Sequence, residues 1–324
     1  APRPDVIAAL PMYDWPENRR ANNAFWQDVA VHLRDRGVTA PATLTRDRPA
    51  AEIWQDSQLL MAQTCGLPFV TGRCGSARVF ARPDFGIEGA TDGFYSSALV
   101  CRRGDGSRLA DFRGSRVAIN EYGSQSGCNA VADAVGETDF FSDVLVTGAH
   151  RASASAVANG DADLAAIDAV SWALFRVHEP EAAARLTMLD WTRPMPATPY
   201  ITSPRHDELT PRLRDALTIA SVCQPGLPIS IQTACEADYA PIRQMADALK
   251  GRRLAPGAEE SGQPEPARMV GVHAVGEARG QREHGSEGVI GGQLRERVDV
   301  AAVAAERLLR GQPPVVPPLE EGLG

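Results

Sequence analysis

The most chemically suggestive stretch of the chain is Asn120-Glu121-Tyr122-Gly123-Ser124-Gln125-Ser126-Gly127. It follows the apolar run Arg116–Ile119 and precedes a helical pattern over Asn129–Val135. A strand that ends in serines and glycines before a helix leaves free backbone N–H groups with partial positive charge. Ser124, Ser126 and the amide of Gln125 add neutral donors, and the set suits an oxyanion such as phosphate, phosphonate, sulfate or carboxylate. Ordinary helix capping uses the same serines, so the segment has two readings. His150 and Asp168 each follow another strand-like run directly, at the mouth of the next helix. There His150 is placed to donate to an anion, and Asp168 to accept from an amine, a hydroxyl or a protonated ligand oxygen; each also suits a local cap. Tyr13 follows the run Val6–Leu10, and Gln63 and Thr64 follow Leu59–Ala62. Candidates from separated parts of the chain therefore fall just past strand ends, where one crevice of an open α/β sheet collects them.

Several chemistries are disfavoured. Gly123–Gly127 resembles a nucleophile elbow, but its central residue is Gln125 and not serine. All but one of the 33 basic residues are arginine, the exception being Lys250, and no Gly-Lys-Ser/Thr run exists for a phosphate loop. The six cysteines, at 65, 74, 101, 128, 223 and 235, form no C-x-x-C, and the six histidines form no H-E-x-x-H. Neither a metal nor a cofactor is expected. Cys65 and Cys74 read as buried free thiols, with a disulfide as the alternative. A net charge of −8 argues against a nucleic-acid face. No run approaches the roughly 18 apolar residues of a membrane span, so no membrane insertion is expected. The chain opens Ala-Pro-Arg-Pro with no apolar signal segment, which leaves either a removed signal or none.

The elements that position these residues divide the 324-residue chain unequally. All 19 aromatic residues lie before position 240, while residues 251–324 hold 13 Gly and 7 Pro. That composition predicts a largely disordered tail, with one helix over Val298–Arg310. In the first 250 residues, Asp14 is expected to cap a helix opened by Pro16 and Glu17. The stripe Ala21, Phe25, Val29, Leu33 gives that helix its buried face. Strands are expected at Val6–Leu10, Leu59–Ala62, Val79-Phe80, Ser97–Cys101, Arg116–Ile119, Val144–Thr147 and Leu164–Ile167. Helices alternate with the later ones, which predicts a parallel sheet. Connections near Tyr95–Cys101 and Trp191–Ile201 bracket this second series, as when a chain leaves one lobe and returns to it.

This arrangement resembles the phosphate/phosphite/phosphonate substrate-binding proteins of ABC transporters. The resemblance rests on Phe94–Val100, Leu109-Ala110-Asp111-Phe112-Arg113-Gly114, Ser124-Gln125-Ser126-Gly127, Thr147-Gly148-Ala149-His150, Ala156–Asp163, Ile167-Asp168 and Ala237-Asp238-Tyr239. Leu10-Pro11-Met12-Tyr13-Asp14 and Gln63-Thr64-Cys65-Gly66 look typical of one branch. It implies an α/β, two-lobed fold of the periplasmic-binding-protein type II class, with two crossing strands as hinge. Residues 1–96 and 197–250 would form one lobe, 97–196 the other, and 251–324 the tail.

In the family, a Ser-Thr-Ser-Gly loop grips the anion. Ser124, Gln125 and Ser126 match it, with an amide replacing the central hydroxyl. The family's histidine matches His150, its acidic residue Asp168, its hinge tyrosine Tyr95, and a first-lobe aromatic Tyr13. The implied function is capture of a small tetrahedral oxyanion between the lobes for uptake through a membrane permease, by a periplasmic monomer that is not an enzyme. A cytoplasmic or sensor-linked binding module of the same fold is the first alternative. An enzyme using His150 with Asp168 is the second.

Overall fold

The computed structural model describes residues 6–259 apart from 223 and 225, all within the first of two units of the chain, residues 1–269. The expected helix at Val298–Arg310 and the expected tail from 260 onward lie outside the described residues. In chain order the first elements are β1 (Ile7–Ala9), α1 (Arg19–Asp35), α2 (Ala50–Trp54), β2 (Leu59–Gln63), α3 (Gly66–Val70) and β3 (Arg78–Asp84). After the short crossing strand β4 (Phe94–Tyr95) come β5 (Ser97–Arg102), β6 (Arg116–Ile119), α4 (Ala130–Val135), β7 (Asp143–Val146) and α5 (His150–Asn159). They continue with β8 (Leu164–Asp168), α6 (Ala169–His178), α7 (Pro180–Ala184) and β9 (Leu186–Trp191). The chain returns through β10 (Met195–Pro196) to β11 (Tyr200–Thr202), α8 (Thr210–Ala220), β12 (Ser230–Thr233) and α9 (Ala240–Ala248).

Two five-stranded sheets result, in the orders β1-β2-β11-β3-β12 and β7-β6-β8-β5-β9. Between them β4 and β10 pair antiparallel, Tyr95 opposite Met195 and Phe94 opposite Pro196, as the two crossing strands. The sheets are mixed rather than parallel. β1 with β2 and β6 with β7 and β8 are parallel, while β5 and β11, the strands by which the chain enters each sheet from the crossing, run antiparallel to their neighbours. A chain that crosses through a strand has no helical crossover to reverse it, so it enters the sheet against its neighbours.

The stripe on α1 packs as its spacing requires. Phe25, Trp26, Val29 and Leu33 are buried with Leu213 and Leu217 of α8 against Leu60, Phe80 and Tyr200 of the first sheet. Ile53 and Trp54 of α2 cover its other face. In the second lobe Ala154 and Val157 of α5 and Trp172 and Phe175 of α6 pack on Val100, Ala118, Ala165 and Ile167.

Asp14 does not cap α1. A 3₁₀ turn over Pro16–Asn18 intervenes, and neither it nor α1 has a side-chain cap. The Asp14 carboxylate instead accepts from Asn22 Nδ2 at 2.8 Å and from Arg46 at 2.5 and 2.9 Å. An arginine fork outcompetes a single backbone N–H for a carboxylate. Beyond α9 the chain makes a further crossing. The carbonyls of Arg253 and Leu254 accept from Asp139 N at 2.8 Å and Phe141 N at 2.9 Å, and Leu254 and Ala255 are buried. Residues 252–255, placed in the tail by composition, are thus stitched to the second lobe.

Candidate functional site

Five strand ends converge. β1 leads to Tyr13, β2 to Gln63, Thr64 and Cys65, β6 to Ser124–Ser126, β7 to His150 and β8 to Asp168. Their side chains are almost fully withdrawn from solvent, with Tyr13, Gln63, Thr64, Tyr95, Ser124, Gln125, Ser126 and Asp168 all buried.

The centre is a chain of three polar groups. Ser126 Oγ lies 2.8 Å from His150 Nε2, which lies 3.3 Å from Asp168 Oδ2. Burial holds the His150 pKa below its ordinary value, against the pull of Asp168 and the Ala166 carbonyl toward the charged ring. The neutral ring carries one N–H, and both the Asp168 carboxylate and the Ala166 carbonyl draw it, so the place of that proton decides whether Ser126 Oγ accepts from Nε2 or donates to it. With the proton on Nε2, Ser126 Oγ accepts and its own hydrogen can reach a ligand oxygen; with the proton on Nδ1, Ser126 donates to Nε2. The Ser126 carbonyl is fixed by Ser97 Oγ at 2.9 Å.

Asp168 serves two purposes that sequence reading set as alternatives. Its Oδ1 accepts from Val170 N at 3.1 Å and Ser171 N at 3.0 Å, capping α6, and Oδ2 faces His150. Ser124, by contrast, is used up locally: its Oγ accepts from Gly127 N at 3.0 Å. The turn it caps is a π-helical turn, Gln125–Asn129, running straight into α4. Such single-turn widenings recur at functional sites. A Cβ on Gly127 would stand 1.8 Å from Asn120 Oδ1, so any other residue there displaces the Asn120 side chain.

The Gln125 amide turns away from His150. Its Nε2 donates to Met245 Sδ of α9 at 2.9 Å, and its Oε1 accepts from Asn129 Nδ2 at 3.5 Å. Gln63 Nε2 donates to Thr198 Oγ1 at 2.9 Å. Thr64 Oγ1 donates to the Cys65 carbonyl at 3.3 Å and lies 3.6 Å from Cys74 Sγ. These three are occupied in the wall, while Ser126, His150 and Asp168 meet at its centre.

The two tyrosines complete the group. Tyr13 stands edge-on to Phe85 with centroids 5.4 Å apart. Burial, and then the nearby Asp168 carboxylate, push its pKa well up. Tyr95 is raised in the same way by burial, Cys65 and Asp168, and its buried hydroxyl, beside the Ser126 and Cys65 side chains, makes no hydrogen bond of ordinary geometry. Both are neutral hydroxyl donors at any physiological pH. Three wall residues escaped sequence reading. Thr198 and Ser97 carried no signal, since either reads as a strand-end or loop hydroxyl. Cys65 lay inside the Gln-Thr-Cys-Gly run; its thiol is held protonated by burial and sits beside Tyr95. Cys65, Cys74, Cys101, Cys128 and Cys235 are free thiols. Among the described residues no His, Cys, Asp and Glu cluster is fit to hold a metal ion.

The sequence profile of one family, described as the phosphonate periplasmic substrate-binding protein of ABC transporters, matches residues 8–221. No curated protein is significantly similar to the chain. Among solved structures, a binding-protein component of an ABC phosphonate transporter from Pseudomonas aeruginosa superposes with a TM-score of 0.59 at 18% identity, over 76% of this chain and 87% of that one. PhnD1 of Prochlorococcus marinus, solved in complex with methylphosphonate, gives 0.59 at 16% identity, over 75% and 97%. A Xanthomonas citri protein bound to ATP gives 0.55 at 15% identity, over 76% and 100%.

Proposed function

The chain belongs to the family of periplasmic substrate-binding proteins of phosphonate ABC transporters, and from that premise we propose that it captures a small phosphonate, phosphite or phosphate anion between its lobes. The observation that carries this reading is the buried chain Ser126–His150–Asp168, with the Tyr95 hydroxyl unpartnered beside it. A buried polar group without a partner costs about 1–3 kcal/mol, so a site that leaves one facing a cleft is stabilised by a ligand that pairs it.

The donors match a tetrahedral oxyanion. Ser126, Tyr95 and Tyr13 supply neutral O–H groups, and the π-helical turn supplies N–H groups at its start. Asp168 supplies the acceptor, favouring a ligand with a P–O–H or N–H to offer and disfavouring a fully deprotonated dianion such as sulfate. None of these residues performs a bond-breaking step. His150 orients both Ser126 and Asp168, and the mechanism is closure around the anion.

In this reading residues 1–96 and 197–250 are the first lobe and 97–196 the second, β4 and β10 are the hinge, and the closed form presents the anion to a permease at the membrane. Among the described residues no helix is long and apolar enough to cross a membrane itself. The periplasm is the place of action that family membership suggests. A thermal-shift screen of the full-length protein against methylphosphonate, phosphite, phosphate, sulfate and simple carboxylates tests the reading. A ligand at a hundred times its dissociation constant adds about 2.7 kcal/mol of stability, so a rise of several degrees is expected with at least one phosphorus oxyanion and none with sulfate. A shift with carboxylates alone, or with nothing, would reject the ligand class.

A further inference from the structure

The turn Trp15–Asn18 belongs to the first lobe, yet three of its four side chains meet the second, in contacts the ligand site does not use. Glu17 forms a two-pronged pair with Arg151 of α5: Arg151 Nη1 donates to Oε2 at 3.1 Å and Nη2 to Oε1 at 3.0 Å. Arg151 Nε also donates to Glu179 at 3.0 Å, with Nη2 on the same oxygen. The guanidinium stands 4.8 Å from the centre of the Trp15 ring, and Trp15 packs in turn on the second lobe's core. Asn18 Oδ1 lies 3.1 Å from His178 Nε2 at the end of α6. One guanidinium is therefore pinned on its own lobe by Glu179 and on the other by Glu17 and Trp15.

Isolated surface ion pairs contribute little, but a forked arginine stacked on tryptophan and held from two sides is the arrangement in which such contacts count. Two further points give it a role. Arg151 directly follows His150, so both ride on the first turn of α5, and a shift of that turn moves the site and the contact together. The Glu17 and Trp15 contacts join the two lobes, so a rotation that parts the lobes at this edge breaks them.

We propose that Arg151 is an interlobe latch, which through Glu17 and Trp15 holds the lobes closed and sets how long a captured anion stays. Contacts made only in the closed form slow release without speeding capture. The ligand arm of the test rests on the proposed anion site; the scattering arm does not.

The experiment uses the full-length protein and Glu17→Gln, Arg151→Gln, the double variant and the conservative Arg151→Lys. Methylphosphonate capture and release are followed by stopped flow, and the radius of gyration of the ligand-free proteins by small-angle X-ray scattering. Each Gln variant is expected to release methylphosphonate about five- to tenfold faster, with capture rates within about twofold of wild type. The double variant should be no faster than the quicker single one, because both remove the same contact. Arg151→Lys keeps the charge without the fork and should fall between. The ligand-free Gln variants should be more extended than wild type. Additive effects, unchanged release, or slower capture alone would overturn the latch. If the wild type binds no methylphosphonate, the ligand reading fails and the latch is decided by scattering: equal radii in wild type and variants would overturn it, and expansion in both single variants, no greater in the double, would uphold it. If Glu17→Gln or Arg151→Gln fails to fold, Glu17→Asp or Arg151→Lys takes its place, with faster release than wild type upholding the latch and unchanged release overturning it.

Discussion

Ser126 and His150 meet because two strands of one sheet end side by side. Ser126 Oγ lies within hydrogen-bond reach of His150 Nε2, which in turn faces Asp168 Oδ2. Removing that hydroxyl with Ser126→Ala is expected to weaken anion binding by about 1–3 kcal/mol while leaving the fold intact. The His150 pKa is lowered on folding by burial, so the unfolded chain binds more protons than the folded one as pH falls through the ordinary histidine value of about 6.5. Stability is therefore lost as pH drops from about 7 to 5. Melting curves across that window should show the decline, and His150→Gln should flatten it in part, since His178 and His206 shift in the same direction. A pH-independent melting temperature would contradict a buried neutral His150. At this scale the sequence was legible where a residue had one possible partner and ambiguous where it had two. Asp168 is both a helix cap and a site acceptor, and Ser124 only a cap. Residue type alone does not separate those cases, because the same short side chain satisfies either.

Elements were read best where a pattern repeats. The four-residue stripe on α1 and the apolar runs of β2, β6 and β8 lie where spacing and hydrophobicity put them. The exceptions are set by distant partners. Asp14 is drawn from its expected cap by Arg46, and Glu17 from a capping box by Arg151. Gln125, matched to the anion-gripping loop, is turned toward Met245 across 120 residues of chain. The π-helical turn that carries Ser126 depends on Gly127, whose missing side chain leaves room for Asn120 Oδ1. Gly127→Ala is expected to cost about 1–3 kcal/mol, the usual penalty for overpacking, and to weaken anion binding by displacing Ser126. Denaturant unfolding and a binding titration on the same variant check both; a variant as stable and as tight as wild type would show that the turn tolerates the methyl group.

The whole molecule explains why the crossing segments were visible as proline-rich or aromatic interruptions while sheet direction was not. Alternating strands and helices suggest parallel pairing, but the two strands that follow a crossing, β5 and β11, enter antiparallel. The third connection, residues 252–255 on the strip 139–141, lies where composition had already turned glycine- and proline-rich, so only backbone pairing reveals it. Closure of two lobes on an anion held by Ser126 is checked by isothermal titration calorimetry of methylphosphonate into the full-length wild type and Ser126→Ala. One-to-one binding to the wild type is expected, weakened by roughly five- to a hundred-and-fiftyfold in the variant, the equivalent of about 1–3 kcal/mol for the lost hydroxyl. Methylphosphonate binding that Ser126→Ala leaves unchanged, or the absence of binding by methylphosphonate, phosphite and phosphate alike, would contradict it.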